Sequence, residues 1–200
     1  MTLGARIKAA VERDSVIATL VGAAAVVLLA ATATNGFVRD EGYYFRAARE
    51  YFSWFQTLWE KFPELHHFSD ATLTRAFGYN IEHPGLVKIL SGWTWYVAHS
   101  RGTSQATGFR LAAQIITGVG TAFTYLLGAR LTSRGVGLLA VVLLFACPHV
   151  FYHAHLACFD APVMALTVVT TYAFWRSLSS RRWIVLAGVA WGLALATKHN

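Results

Sequence analysis

An all-α, polytopic integral membrane protein is the fold class this sequence predicts, and three observations predict it. Apolar residues make up 56% of the chain and charged residues only 14%, where an ordinary soluble domain carries about 25% charged residues. Uncharged or nearly uncharged runs recur at close to the length a helix needs to cross a bilayer, about 20 residues. Lysine and arginine gather in the short turns between those runs, as they do at membrane boundaries.

The first run, Ser15 to Thr34, carries no charge and predicts a helix over about 15–34. A secretory signal peptide would share its basic start, Arg6 and Lys8, and a small-residue "ATA". The apolar core is longer than the roughly 7–15 residues of a signal h-region, which favours a retained helix. Further helices are expected over about 108–129, 135–151, 161–178 and 183–197. Between the first and second of these five lies Leu86 to Ala98, short for a span and interrupted by Lys88. Runs of 10–14 apolar residues are more often interfacial or re-entrant.

Orientation separates the alternatives for that segment. Positive-inside bias places Arg6, Lys8 and Arg13 in the cytoplasm. If Leu86 to Ala98 does not cross, residues 35–107 form one outer loop. The turns holding Arg130 and Arg134, and Arg176, Arg181 and Arg182, then also fall inside. The opposite face gathers Asp40, Glu41, Glu82, His83, His149, His153, His155, Asp160, Lys198 and His199. Within the outer loop an apolar stripe of Tyr44, Ala48, Tyr51, Phe52, Phe55, Trp59 and Phe62 has helical spacing. It suits a helix lying at the headgroup level or packed on its neighbours. Trp93 and Trp95 read as interface anchors.

The net charge of +7 is accounted for by these membrane-boundary residues, so the expected partner is membrane lipid and not nucleic acid. Cys147 and Cys158 allow a disulfide if the outer side is oxidising, although Cys147 sits in apolar sequence where a reduced thiol is common. His149 and His153, four apart, could share a metal; interfacial polar packing is the reading favoured for the histidine cluster. Asp160, next to an apolar run, stands out because ionisable groups near lipid are costly and usually functional.

Four stretches taken together resemble a known family: "DE" at 40–41, "NIEHPGLVK" at 80–88, "ACPHVFYHAHLACFDAPVMA" at 146–165 and "GLALATKHN" at 192–200. In order and spacing they are similar to the N-terminal part of GT-C glycosyltransferases, especially the bacterial relatives of protein O-mannosyltransferases and lipid A aminoarabinose transferases. The resemblance implies a GT-C-like helical bundle with a large first outer loop carrying interfacial helices. It also implies a longer enzyme, the C-terminal remainder lying outside these 200 residues. Asp40 matches the family's catalytic carboxylate, with Glu41 supporting. Glu82-His83-Pro84-Gly85-Leu86 matches a motif that closes the first outer loop, with glycine in place of its second proline. Asp160 matches an acidic residue after the third helix, and Thr197-Lys198 a Thr-Lys pair ending a later one.

The implied activity is transfer of a sugar from a polyprenyl-phosphate donor to a protein, lipid or glycan acceptor. The implied place is the outer face of a membrane, expected to be the periplasmic side of a bacterial inner membrane. Such chemistry needs a base for the acceptor hydroxyl and a cation for the departing phosphate. Asp40 is the expected base. Arg39, His83, Lys88 and Lys198 are the expected substrate-binding groups, with Glu82 and Asp160 either binding substrate or holding a divalent metal ion through oxygen ligands. Two other classes fit the composition: a transporter or channel using Asp160, His155 and Lys198 as a polar pathway, and an inactive truncated scaffold.

Overall fold

A computed structural model describes residues 3–61 and 64–199; the side chains of residues 3–11 and of Leu65 are left aside. Phe62, the last residue of the predicted outer-loop stripe, lies outside the described residues, as does Asn200. The side chains of Arg6 and Lys8 are likewise outside them. Among the described residues nine α-helices follow one another, α1 (Leu3–Ala31), α2 (Arg39–Glu60), α3 (Asp70–Phe77), α4 (Leu86–His99), α5 (Gln105–Leu131), α6 (Arg134–Ala146), α7 (Pro148–Ala154), α8 (Asp160–Ser177) and α9 (Arg182–Leu195). No strand occurs among the described residues. The protein is an all-α, polytopic membrane protein.

α5 is the central post, and small residues make it so. A β-carbon on Gly118 would fall 2.8 Å from the carbonyl oxygen of Gly22, and one on Gly120 would fall 2.4 Å from the β-carbon of Ala165. Glycine at these two positions lets α1 and α8 approach the α5 backbone closely, the packing that replaces the hydrophobic effect between helices in lipid. α8 runs parallel to α5, with Gly120 against Ala165 and Phe123 against Tyr172. α1 runs antiparallel to it, Gly22 meeting Gly118 while Asp14 meets Arg134.

Among the described residues, two helices are long and apolar enough to cross a membrane, Glu12–Ala31 and Gln105–Leu131. The expected single helix over 135–151 is instead two, α6 and α7, bent by 80°. Pro148 is the cause. It occupies the first position of α7, where its missing N–H costs nothing, and it cannot continue α6. If the bent pair counts as one span the total is three, fewer than the five helical runs in the sequence. α9 is apolar but only 14 residues long.

The outer-loop segment is itself helical. α2 buries Phe45, Ala47, Ala48, Tyr51 and Phe52, and its stripe packs on α4. Phe52 meets Trp93 and Tyr96 at ring distances of 5.1 and 4.8 Å. Trp95 stacks on Phe109 of α5, which stacks on Phe45. Trp93 and Trp95, read from the sequence as interface anchors, pack between α2, α4 and α5, while Trp59 is 81% exposed. Both ends of α4 sit at one end of the bundle. Leu86 N–H donates to the carbonyl of Ala196, and Trp95 lies beside the first turn of α5.

Charge divides the bundle into two ends. At one, Asp14 is buried and paired with Arg134 at 2.6 Å and Arg130 at 3.2 Å. At the other lie Asp40, Glu41, Glu82, His83, Asp160 and Lys198.

Candidate active site

Asp40 and Glu41, adjacent in sequence, have opposite environments. Both lie in the first turn of α2, where a carboxylate complements the positive end of the helix dipole. Successive helical side chains point about 100° apart, so one turns inward and the other out. Glu41 is buried against Arg110, whose Nε donates to Oε1 at 2.8 Å and Nη2 to Oε2 at 2.6 Å. The Glu41 carboxylate also accepts the N–H of Ala157 at 2.9 Å and of Val38 at 3.2 Å. Arg110 completes the hub by donating to the carbonyls of Asn35 and Gly36, each at 2.9 Å. Glu41, expected to support Asp40, thus has both oxygens committed to holding α2, α5, the α1–α2 link and the α7–α8 loop together. Its support for Asp40 is positional.

Asp40 is exposed. It opens on a cleft of about 320 Å³ lined by Arg39, Asp40, Tyr43, Tyr44, Asn80, Glu82 and His83, within the usual range of small-molecule sites. Tyr44 forms one wall, its ring 4.4 Å from Phe159 and 5.9 Å from His83. Burial, then the negative charge of Asp40, Cys158, Asp160 and Glu82, pushes its hydroxyl up to about 12. Tyr44 therefore stays a protonated donor at neutral pH, in a cleft it shares with Asp40 and Glu82. Sequence reasoning missed this tyrosine as a site residue, because it read only as part of an apolar stripe.

The "NIEHPGLVK" segment is held from below. Lys88 is buried, and its ammonium donates to the Asn80 carbonyl, to Asn80 Oδ1 and to the His83 carbonyl. All three donors of the ammonium group are used. Burial pushes this amine down to about 8, with the charge of Glu82 opposing. Lys88, expected to bind substrate, instead ties the loop that carries Glu82 and His83. Gly85, which stands where the family motif has its second proline, has an ordinary φ of −83°. Asn80 takes the left-handed conformation, φ 57°, which asparagine tolerates, and its amide donates to Glu82 Oε1 at 2.6 Å.

Asp160 opens α8 and accepts a 2.8 Å hydrogen bond from Lys198 Nζ, joining the start of α8 to the end of α9. Glu82 and Asp160 have different partners, Asn80 and Lys198. Among the described residues, three ligating side chains whose donor atoms lie within 4.8 Å of one another are His153, Cys158 and Asp160. Glu82 is not one of them. The rings of His149 and His153 lie 4.3 Å apart, tilted by 51°, while His155 is buried between Thr32 Oγ1 and the Phe151 carbonyl, each at 2.7 Å. Both cysteines are free thiols, Cys147 exposed and Cys158 buried.

Arg110 is the other residue the sequence reading passed over. It sits inside the apolar run 108–129, and a charged side chain in such a run was a sufficient signal.

Comparison with known proteins adds one finding. Residues 83–200 match the family model described as dolichyl-phosphate-mannose-protein mannosyltransferase. That range includes His83, Lys88, Arg110, Asp160 and Lys198, with Asp40 and Glu41 preceding it. Searches of curated proteins and of solved structures returned no match. With more than half of its length inside the family model, the chain belongs to the dolichyl-phosphate-mannose-protein mannosyltransferase family and is a GT-C mannosyltransferase-like glycosyltransferase.

Proposed function

We propose that the cleft at Asp40 is where a sugar passes from a polyprenyl-phosphate donor to the hydroxyl of a protein, lipid or glycan acceptor. The observation that carries this reading is the contrast within the acidic pair. An exposed carboxylate, Asp40, stands in a polar cleft with Arg39 and His83, on a helix fixed by the Glu41–Arg110 pair directly beneath it. In the transfer, Asp40 accepts the acceptor's proton as the acceptor oxygen bonds to the sugar's anomeric carbon. The bond from that carbon to the phosphate oxygen breaks, and Arg39 and His83 meet the charge on the departing polyprenyl phosphate. Tyr44 donates a hydrogen bond within the cleft, and Asp160 holds Lys198 at its edge.

The same reading places this end of the bundle on the outer side of a bacterial inner membrane, with residues 35–107 as its outer loop and the basic turns in the cytoplasm. A transporter fits less well, because transporter sites lie near the bilayer midplane and the exposed charges here lie at helix ends. The test is incubation of the full-length protein, in membranes, with radiolabelled polyprenyl-phosphate sugars. Label moving to a protein, lipid or glycan fraction with wild type and not with Asp40→Asn supports the reading. Absence of transfer from every donor, or transfer unaffected by Asp40→Asn, contradicts it.

A further inference from the structure

The α7–α8 junction carries a second constellation. His153 ends α7, Cys158 lies in the loop, and Asp160 opens α8. His153 Nδ1 is 3.6 Å from Cys158 Sγ and 3.7 Å from Asp160 Oδ2. A tetrahedral ion with bonds of about 2.3 Å to sulfur and about 2.0–2.2 Å to nitrogen and oxygen has donor-to-donor edges of about 3.3–3.6 Å. His153 Nδ1 already stands near that spacing from each of the other two donors, and all three donor atoms lie within 4.8 Å of one another. Lys198 approaches the same carboxylate but uses its other oxygen, Oδ1, so Asp160 stands between the two cations and leaves Oδ2 to the ion.

We infer that His153, Cys158 and Asp160 form a binding site for a divalent ion of the zinc class. Thiolate with imidazole selects such an ion over magnesium or calcium, which favour all-oxygen sets. The site therefore differs in ligands and in metal class from the Glu82–Asp160 oxygen pair that the sequence suggested. Binding releases the Cys158 thiol proton to solvent, and His153 coordinates through Nδ1 with its proton on Nε2. The ion would clip α7 to α8 around residues 154–159, the loop whose Ala157 N–H reaches Glu41. Three protein ligands leave one tetrahedral position, which water fills.

The test does not depend on sugar transfer. Tag-free protein in detergent is titrated with Co²⁺ while a thiolate-to-cobalt charge-transfer band is followed. The expected result is a band that saturates at about one equivalent, is bleached by Zn²⁺ and is indifferent to Mg²⁺. Cys158→Ser abolishes it and Cys147→Ser retains it, and Zn²⁺ raises the melting temperature of wild type but not of Cys158→Ser. If Cys158→Ser does not fold, His153→Gln serves, with an expected fall in cobalt affinity of at least about tenfold. No band in wild type, a band that survives Cys158→Ser, a band lost in Cys147→Ser, or unchanged affinity in His153→Gln overturns the site.

Discussion

Each end of the bundle holds a carboxylate buried against arginine, and the two pairs differ in closure. Asp14 meets Arg130 and Arg134, but the Arg134 side chain is 40% exposed, so water competes for the contact. Glu41 and Arg110 are each about 1% exposed, and backbone groups of two further segments, the α1–α2 link and the α7–α8 loop, complete their hydrogen bonding. The open clasp joins helices. The closed one fixes the frame around a cleft, and the exposed carboxylate next to it, Asp40, is left free to act. An ion pair's burial, more than its presence, separates what holds the fold from what can do chemistry.

The broadest test of that comparison is whether the two ends lie on opposite membrane faces, an all-or-none outcome. In a Cys147→Ser background, a cysteine replacing Ala71 should react with an impermeant thiol reagent added from outside, and one replacing Thr132 should not. Equal labelling of the two would contradict the proposal that the Asp40 end faces outward and the Asp14 end inward.

Next in size is the closed pair. Arg110→Met leaves Glu41 buried without its partner, and such a loss typically costs about 3–5 kcal/mol. Thermal unfolding of the purified variant should fall steeply, and combining it with Glu41→Leu should cost less than the sum of the two single changes. Strict additivity would mean that the two side chains do not act as one unit.

Lys88→Met should have an intermediate effect of about 1–3 kcal/mol, because three oxygens of the 80–83 loop lose their donor. Limited proteolysis between residues 79 and 86 should speed up, and transfer should weaken with it. Full activity combined with loss of phosphate binding would return Lys88 to the substrate-binding role its position in the motif suggests.

Asp14→Asn is expected to be the mildest change, about 1 kcal/mol or less, since one of its two arginines is substantially solvated. A loss as large as that of Arg110→Met would show that the two clasps are equivalent after all.

What was legible in the sequence follows the same physics. Long uncharged runs announce helices, so α1, α5, α8 and α9 were visible to within a few residues in their apolar parts. The break in 135–151 was legible in Pro148 but was masked by an apolar run that continues past it. Asp160 was visible because charge is conspicuous beside apolar sequence; Arg110 should have been visible for the same reason, but averaging over the run hid it. The opposite environments of Asp40 and Glu41 were not legible. They depend on which of two adjacent side chains faces Arg110, a residue 69 positions from Glu41, and no local pattern encodes that. Tyr44 and Lys88 were misjudged for a related reason: partners from other segments, not sequence neighbours, decide whether such a side chain faces a cleft or staples a loop.

The most direct measurement of the central claim compares Asp40→Asn with Glu41→Gln in one preparation, reading initial transfer rate and melting temperature for each. Asp40→Asn should lower the rate by about 10²–10⁴, the usual cost of losing a general base, with stability changed by less than about 0.5 kcal/mol. Glu41→Gln should lower the melting temperature clearly, and its rate should recover toward wild type when measured well below that temperature. The reverse pattern, a stable but inactive Glu41→Gln beside an active Asp40→Asn, would contradict the assignment of chemistry to the exposed carboxylate and structure to the buried one.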